Sequence, residues 1–114
     1  MKTTIWHNPR CSKSRAGLKY LEEKGIEHEV VRYLETPPTA DELTELLKKL
    51  GMTPRELMRT KEAIYRELGL KEVTDDAALI AAMADHPKLI ERPVVIRGDK
   101  AVVARPAEKI DEIL

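Results

Sequence analysis

Apolar and polar positions alternate along this chain in two rhythms, one with the period of a strand and one with the period of a helix. Thr3-Thr4-Ile5-Trp6-His7 is rich in β-formers and predicts a short strand over residues 3 to 7. Asn8-Pro9-Arg10 breaks it. Ser14, Gly17, Leu18 and Leu21 then share one face of a 3.6-residue period, which predicts a helix from about Ser12 to Lys24. Gly25 stands where a left-handed C-terminal cap belongs. Glu29 to Leu34 reads as a second strand, ended by Pro37-Pro38. A strand, a helix and a strand within roughly 30 residues form a βαβ unit, whose two strands run parallel.

The middle of the chain changes to helix. Thr39-Ala40-Asp41-Glu42 is a capping box, followed by an apolar stripe of Leu43, Leu46, Leu47 and Leu50 and closed by Gly51. Thr53-Pro54-Arg55-Glu56 repeats the box with proline in the first turn. Short helices are expected near 61–68 and 75–85, the latter capped by Thr74. Strand character returns in Pro93-Val94-Val95-Ile96 and Ala101-Val102-Val103-Ala104, around a four-residue loop from Arg97 to Lys100. Pro106 opens a last helix with Ile110, Ile113 and Leu114 on one side. The order βαβ, helical insert, ββα is that of an α/β, thioredoxin-like fold with a four-stranded mixed sheet. The expectation is one domain over residues 1–114, with the insert spanning about 39–86. A flavodoxin-type sheet would need more parallel strands than this pattern supplies.

Composition narrows the chemistry. The chain has 114 residues, 42% hydrophobic and 35% charged, which suits one folded domain. Its formal net charge is zero, so no global field draws it to nucleic acid, and any anion site must be local. No apolar run has the length of a membrane span, and residues 1 to 25 lack a secretion signal. A single cysteine excludes an internal disulfide; together these features predict a cytoplasmic protein. Three histidines and one cysteine, widely scattered, have no zinc spacing, so no bound metal is expected.

That one cysteine, Cys11, falls between a strand and the first turn of a helix. Unpaired N–H groups and the positive end of a helix favour a thiolate over a thiol there. Arg10, Lys13 and Arg15 add positive charge. Ser14 occupies the place a second thiol would take in a Cys-x-x-Cys pair, so electrons for an oxidised Cys11 must come from another molecule. The predicted topology also sets the end of the first strand beside the start of the third and the end of the fourth, bringing Arg92 and Arg105 towards Cys11. Paired guanidinium donors around a thiolate suit a tetrahedral oxyanion attacked by sulfur. Ordinary surface roles for Arg92 and Arg105, and a buried inert role for Cys11, remain alternatives at this level. Trp6 is expected in the core, and His28 and His86 in structural or surface positions.

His7-Asn8-Pro9-Arg10-Cys11-Ser12-Lys13-Ser14-Arg15 resembles the active-site loop of ArsC-type, glutaredoxin-linked arsenate reductases. Further similar segments follow in order: Tyr33 to Pro38, Leu57-Met58-Arg59, Tyr65 to Leu70, His86-Pro87, Ile90 to Val95, and Ala104-Arg105-Pro106. The resemblance implies a cis peptide before Pro93, arsenate or a similar oxyanion as the bound partner, and reduction of arsenate to arsenite in arsenical resistance. It implies Cys11 as nucleophile, with Arg59, Arg92 and Arg105 binding the oxyanion and His7 and Ser14 tuning the thiolate. It further implies no bound cofactor, with glutathione as co-substrate and glutaredoxin as partner. Two other functions fit a similar frame. One is a general glutathione-dependent thiol oxidoreductase. The other is an RNA polymerase-binding regulator of the Spx kind, which typically carries the second thiol that Ser14 replaces.

Overall fold

The computed structural model describes all residues from 1 to 114. The chain divides into two compact units: Met1–Thr36 with Arg92–Leu114, and Pro37–Glu91.

The first unit holds the sheet. Strand β1 is Thr3–Trp6, helix α1 is Ser12–Glu23 and strand β2 is Glu29–Val31. Both strands are shorter than the sequence pattern suggests. His7 leaves β1, although its N–H still donates to the Val31 carbonyl at 2.8 Å. Beyond Val31 the chain turns, with Glu35 N–H and Thr36 N–H both donating to the Arg32 carbonyl, so residues 32 to 34 are not strand. Strands β3, Val94–Arg97, and β4, Lys100–Val103, complete a sheet of order β2-β1-β3-β4. β1 runs parallel to β2 and antiparallel to β3, with Trp6 opposite Val31 and Val94. Val94 in turn faces Val103. This is the expected thioredoxin-like mixed sheet.

The hairpin differs from its prediction in register. Arg97 pairs with Lys100, which leaves only Gly98 and Asp99 as the loop, with Gly98 at φ 62. A two-residue turn with a left-handed glycine matches strand twist, so the strands extend further into the segment than an apolar pattern alone suggests. The C-terminal segment Ala107–Ile113 is a 3₁₀ helix rather than an α-helix. It buries Ile110 and Ile113, whereas Leu114 is half exposed and lies off that face. These two isoleucines join Ile5, Leu21, Val95 and Ala104 in the core of the sheet unit.

The second unit is helical. Helix α2 is Ala40–Leu50, α3 is Pro54–Leu57, α4 is Ala63–Glu67 and α5 is Asp76–Asp85. Both capping boxes form, at Thr39 with Glu42 and at Thr53 with Glu56. The cap of α5 is Asp75, which accepts from the Ala77 N–H, and not Thr74. Either residue type can cap; the deciding factor is which one takes the extended backbone. Leu43, Leu46 and Leu47 are buried, and α2 and α3 pack on α5. Arg55 ties the unit's irregular part together: its guanidinium donates to the Tyr65 hydroxyl and to the carbonyls of Leu70 and Val73.

Candidate active site

Cys11 is the N-cap residue of α1, with an extended backbone (φ −98, ψ 123). Its carbonyl accepts from Arg15 N–H at 3.0 Å, and its own N–H donates to the Asn8 carbonyl at 3.0 Å. The loop between β1 and α1 is held by its own polar groups. Asn8 Oδ1 accepts from Arg10 N–H (3.0 Å), and Arg15 Nη1 donates to the Pro9 carbonyl (2.9 Å). Ser14 Oγ accepts from Asn8 N–H at 2.9 Å and lies 2.7 Å from His7 Nδ1. Both Ser14 and His7 are buried, so this bond is shielded from water.

Cys11 is a buried residue, and burial alone would push its pKa up. The hydrogen bond from the Arg92 side chain opposes this, as do the N–H groups of Ser14 and Lys13 and the charge on Arg92. The net effect holds the thiol below its ordinary value. Cys11 makes no side-chain cap hydrogen bond, so the N–H groups and positive end of the first turn stay available to favour a thiolate over a thiol. His7 is also lowered, chiefly by burial and then by the charges on Arg32 and Arg15, against an opposing hydrogen bond to the Ser14 backbone. A lowered histidine is neutral at pH 7, so the Ser14 hydroxyl can donate to Nδ1 while its oxygen accepts from Asn8.

Arg92 reaches Cys11 because the segment before β3 is strapped down. The Arg92–Pro93 peptide is cis, in line with the resemblance. Ala104 N–H donates to the Pro93 carbonyl at 2.9 Å, and Arg105 Nη1 donates to the Arg92 carbonyl at 3.3 Å. Arg105 thereby supports its neighbour's backbone while its guanidinium stays beside it. A second cis peptide, Arg105–Pro106, lies outside what the sequence indicated. The sheet unit thus gathers Cys11, His7, Ser14, Arg92 and Arg105. Arg59 belongs to the helical unit. There its Nη1 donates to Glu91 Oε1 at 3.1 Å and its Nη2 lies 3.9 Å from Glu62 Oε2, while its buried Nε has no partner.

Gly17 is a further member of the site that the sequence pattern treated only as part of a helix face. It is buried one and a half turns after Cys11, and a Cβ there would lie 2.9 Å from Pro93 Cγ. Its missing side chain lets α1 seat against the residue that follows Arg92. A glycine inside an otherwise helical pattern was the signal available, since it lowers helix propensity without a local reason.

The ArsC family model matches residues 6–113, nearly the entire chain. The chain belongs to the ArsC family. Several relatives share both sequence and length. An arsenate reductase of Neisseria meningitidis (serogroup A) is 54% identical over 112 residues, covering 96% of each chain. The uncharacterized protein YfgD of Escherichia coli K12 is 55% identical over 112 residues, covering 96% of this chain and 94% of its own. Among solved structures, an arsenate reductase from Vibrio cholerae superposes with a TM-score of 0.96 at 50% identity, covering 100% of this chain and 98% of that one. Within this ArsC chain the loop between β1 and α1 carries Cys11 and the His7–Ser14 pair.

Proposed function

We propose that this chain is an arsenate reductase that uses Cys11 as its sole nucleophile and draws its electrons from glutathione and glutaredoxin. The observation that carries the reading is Cys11 itself: a thiol held below its ordinary pKa at the start of α1, with a guanidinium hydrogen-bonded to it. Arsenate reductases at 54% and 50% identity over almost the full chain support the substrate.

The chemistry follows from one sulfur and fixed cations. The Cys11 thiolate attacks As(V), an S–As bond forms and an As–O bond breaks, releasing water. Arg92 and Arg105 hold the remaining oxygens and offset their charge, with Arg59 as the third cationic ligand. A glutathione thiolate then attacks the Cys11 sulfur. The S–As electron pair leaves with arsenic, which departs as As(III) arsenite, and a mixed disulfide remains on Cys11. A thiol of glutaredoxin resolves that disulfide and returns Cys11 to the thiolate. His7 and Ser14 act through the loop that presents the thiolate. No resident cofactor is required, and a lone reduced cysteine suits the cytoplasm.

The test is NADPH consumption with glutathione, glutathione reductase and glutaredoxin, with and without arsenate. Arsenate-dependent consumption by the wild type and its loss in Cys11→Ser are expected. Consumption without arsenate at an equal rate would transfer the activity to general thiol reduction.

A further inference from the structure

The sheet order places Cys11 between two different neighbourhoods. On the β3–β4 side of the end of β1 stand Arg92 and Arg105. On the β2 side, the residues that follow β1 and β2 enclose a groove of about 230 Å³. Its lining includes His7, Pro9 and Arg10 from the first segment, and Arg32, Leu34 and Glu35 from the second.

The groove begins at the residue before the nucleophile, and its first wall does not move freely. Hydrogen bonds from Arg10 N–H to Asn8 Oδ1 and from Arg15 Nη1 to the Pro9 carbonyl hold that wall in shape. The second wall is the turn closed on the Arg32 carbonyl. Arg32 Nη1 and Glu35 Oε1 are 3.9 Å apart and exposed, so the pair is weak and exchanges readily for a better partner. Arg32 also sits near enough to His7 for its charge to be felt there. The buried His7 also lines the groove, and Leu34 and Pro9 supply apolar surface.

Two guanidinium groups, one carboxylate and a small apolar wall form a distinct charge pattern. It matches a short zwitterionic peptide with two carboxylates and one ammonium. A groove of this volume takes one end of a small peptide and not a folded partner. Its position also answers a geometric need. A thiol that displaces arsenic from the Cys11 sulfur approaches away from the arsenic, and the groove lies on the β2 side of the loop, away from the β3 side that carries Arg92 and Arg105.

We propose that this groove is the docking site of the small thiol co-substrate, a glutathione-like tripeptide whose carboxylates pair with Arg10 and Arg32 and whose ammonium pairs with Glu35. The proposal rests on the arsenate-reductase reading for its role in turnover but not for binding. Docking itself is non-covalent and changes no redox state.

S-Methylglutathione is the probe, because it cannot donate electrons or form a disulfide. Titrated into the full chain labelled with ¹⁵N, it is expected to shift the backbone amides of His7, Asn8, Arg10 and Arg32 to Glu35 with a saturable curve. Arg32→Glu should weaken that binding at least about fivefold, whereas Lys19→Glu, an equal charge reversal on the exposed side of α1, should leave it within about twofold. Shifts confined to other surfaces, or equal weakening by both variants, would overturn the groove assignment. The same titration separates the two readings. Groove binding in a protein without arsenate turnover sinks the arsenate reading and keeps the site. Arsenate turnover with a silent groove sinks the site alone.

Discussion

In the proposed reaction, Cys11 and Arg92 form the pair on which reactivity turns. The ordinary thiol is mostly protonated at neutral pH, and burial deepens that preference; the guanidinium and two N–H groups reverse it. For a group lowered in the folded state, the sign is fixed. The thiolate's contribution to stability is present above the unfolded thiol pKa and is lost as pH falls through the lower folded value. Alkylation of Cys11 by iodoacetamide, followed against pH, should show a midpoint below that of a free thiol. In Arg92→Ala the midpoint should move upward and the rate at pH 7 should fall. An unchanged profile would mean that Arg92 does not act on the sulfur. Gly17 gives a second prediction at this scale. Alanine there gains up to about 1 kcal/mol of helix propensity but forces a Cβ to within 2.9 Å of Pro93 Cγ. Overpacking of that kind costs about 1–3 kcal/mol, so Gly17→Ala should lower stability to urea and not raise it. Residue identity alone made Cys11 legible, because thiol chemistry and a strand-to-helix boundary are local. It left Gly17 and the second cis peptide unread, because both depend on what packs across from them.

At the level of elements, the parts governed by neighbours in sequence were the most readable. The boxes at Thr39 and Thr53 formed because each needs only four consecutive residues. Thr39→Ala should cost about 1 kcal/mol in urea denaturation, by freeing the Glu42 N–H. The parts set by tertiary contact were read less well. β2 ends three residues early because Arg32 accepts the turn that follows it. The last segment tightens to a 3₁₀ helix where Ile110 and Ile113 meet the core of the sheet unit. Arg55 is the clearest case of information invisible in a pattern. It sits in a first helical turn by sequence, yet its guanidinium serves a hydroxyl and two carbonyls as far on as Val73. Arg55→Met should destabilise the helical unit by about 1–3 kcal/mol, since part-buried acceptors lose their donor. Hydrogen exchange at residues 63 to 73 would report it, and unaltered protection there would contradict the assignment.

Over the whole molecule, a zero formal charge leaves anion binding to local cations. The sheet unit supplies Arg92 and Arg105 near Cys11, a grouping legible in the sequence through strand topology. Arg59 entered only through family resemblance, since a residue on a separate helical unit has no strand register to locate it. Its two acidic neighbours, Glu62 and Glu91, pair with its guanidinium. If Arg59 binds arsenate, Arg59→Ala should raise KM for arsenate on the order of tenfold, the loss of one charge-assisted pair, with little change in KM for glutathione. Equal rises in both constants would instead indicate a fold defect.

The most direct measurement of the central claim is a single turnover without glutaredoxin. The full chain is mixed with arsenate and glutathione, the reaction is stopped in acid, and the intact protein mass and released arsenite are read together. One glutathione disulfide-bonded to Cys11 is expected for each arsenite formed, and neither in Cys11→Ser. Arsenite released while Cys11 stays unmodified, or arsenite formed by Cys11→Ser, would contradict it.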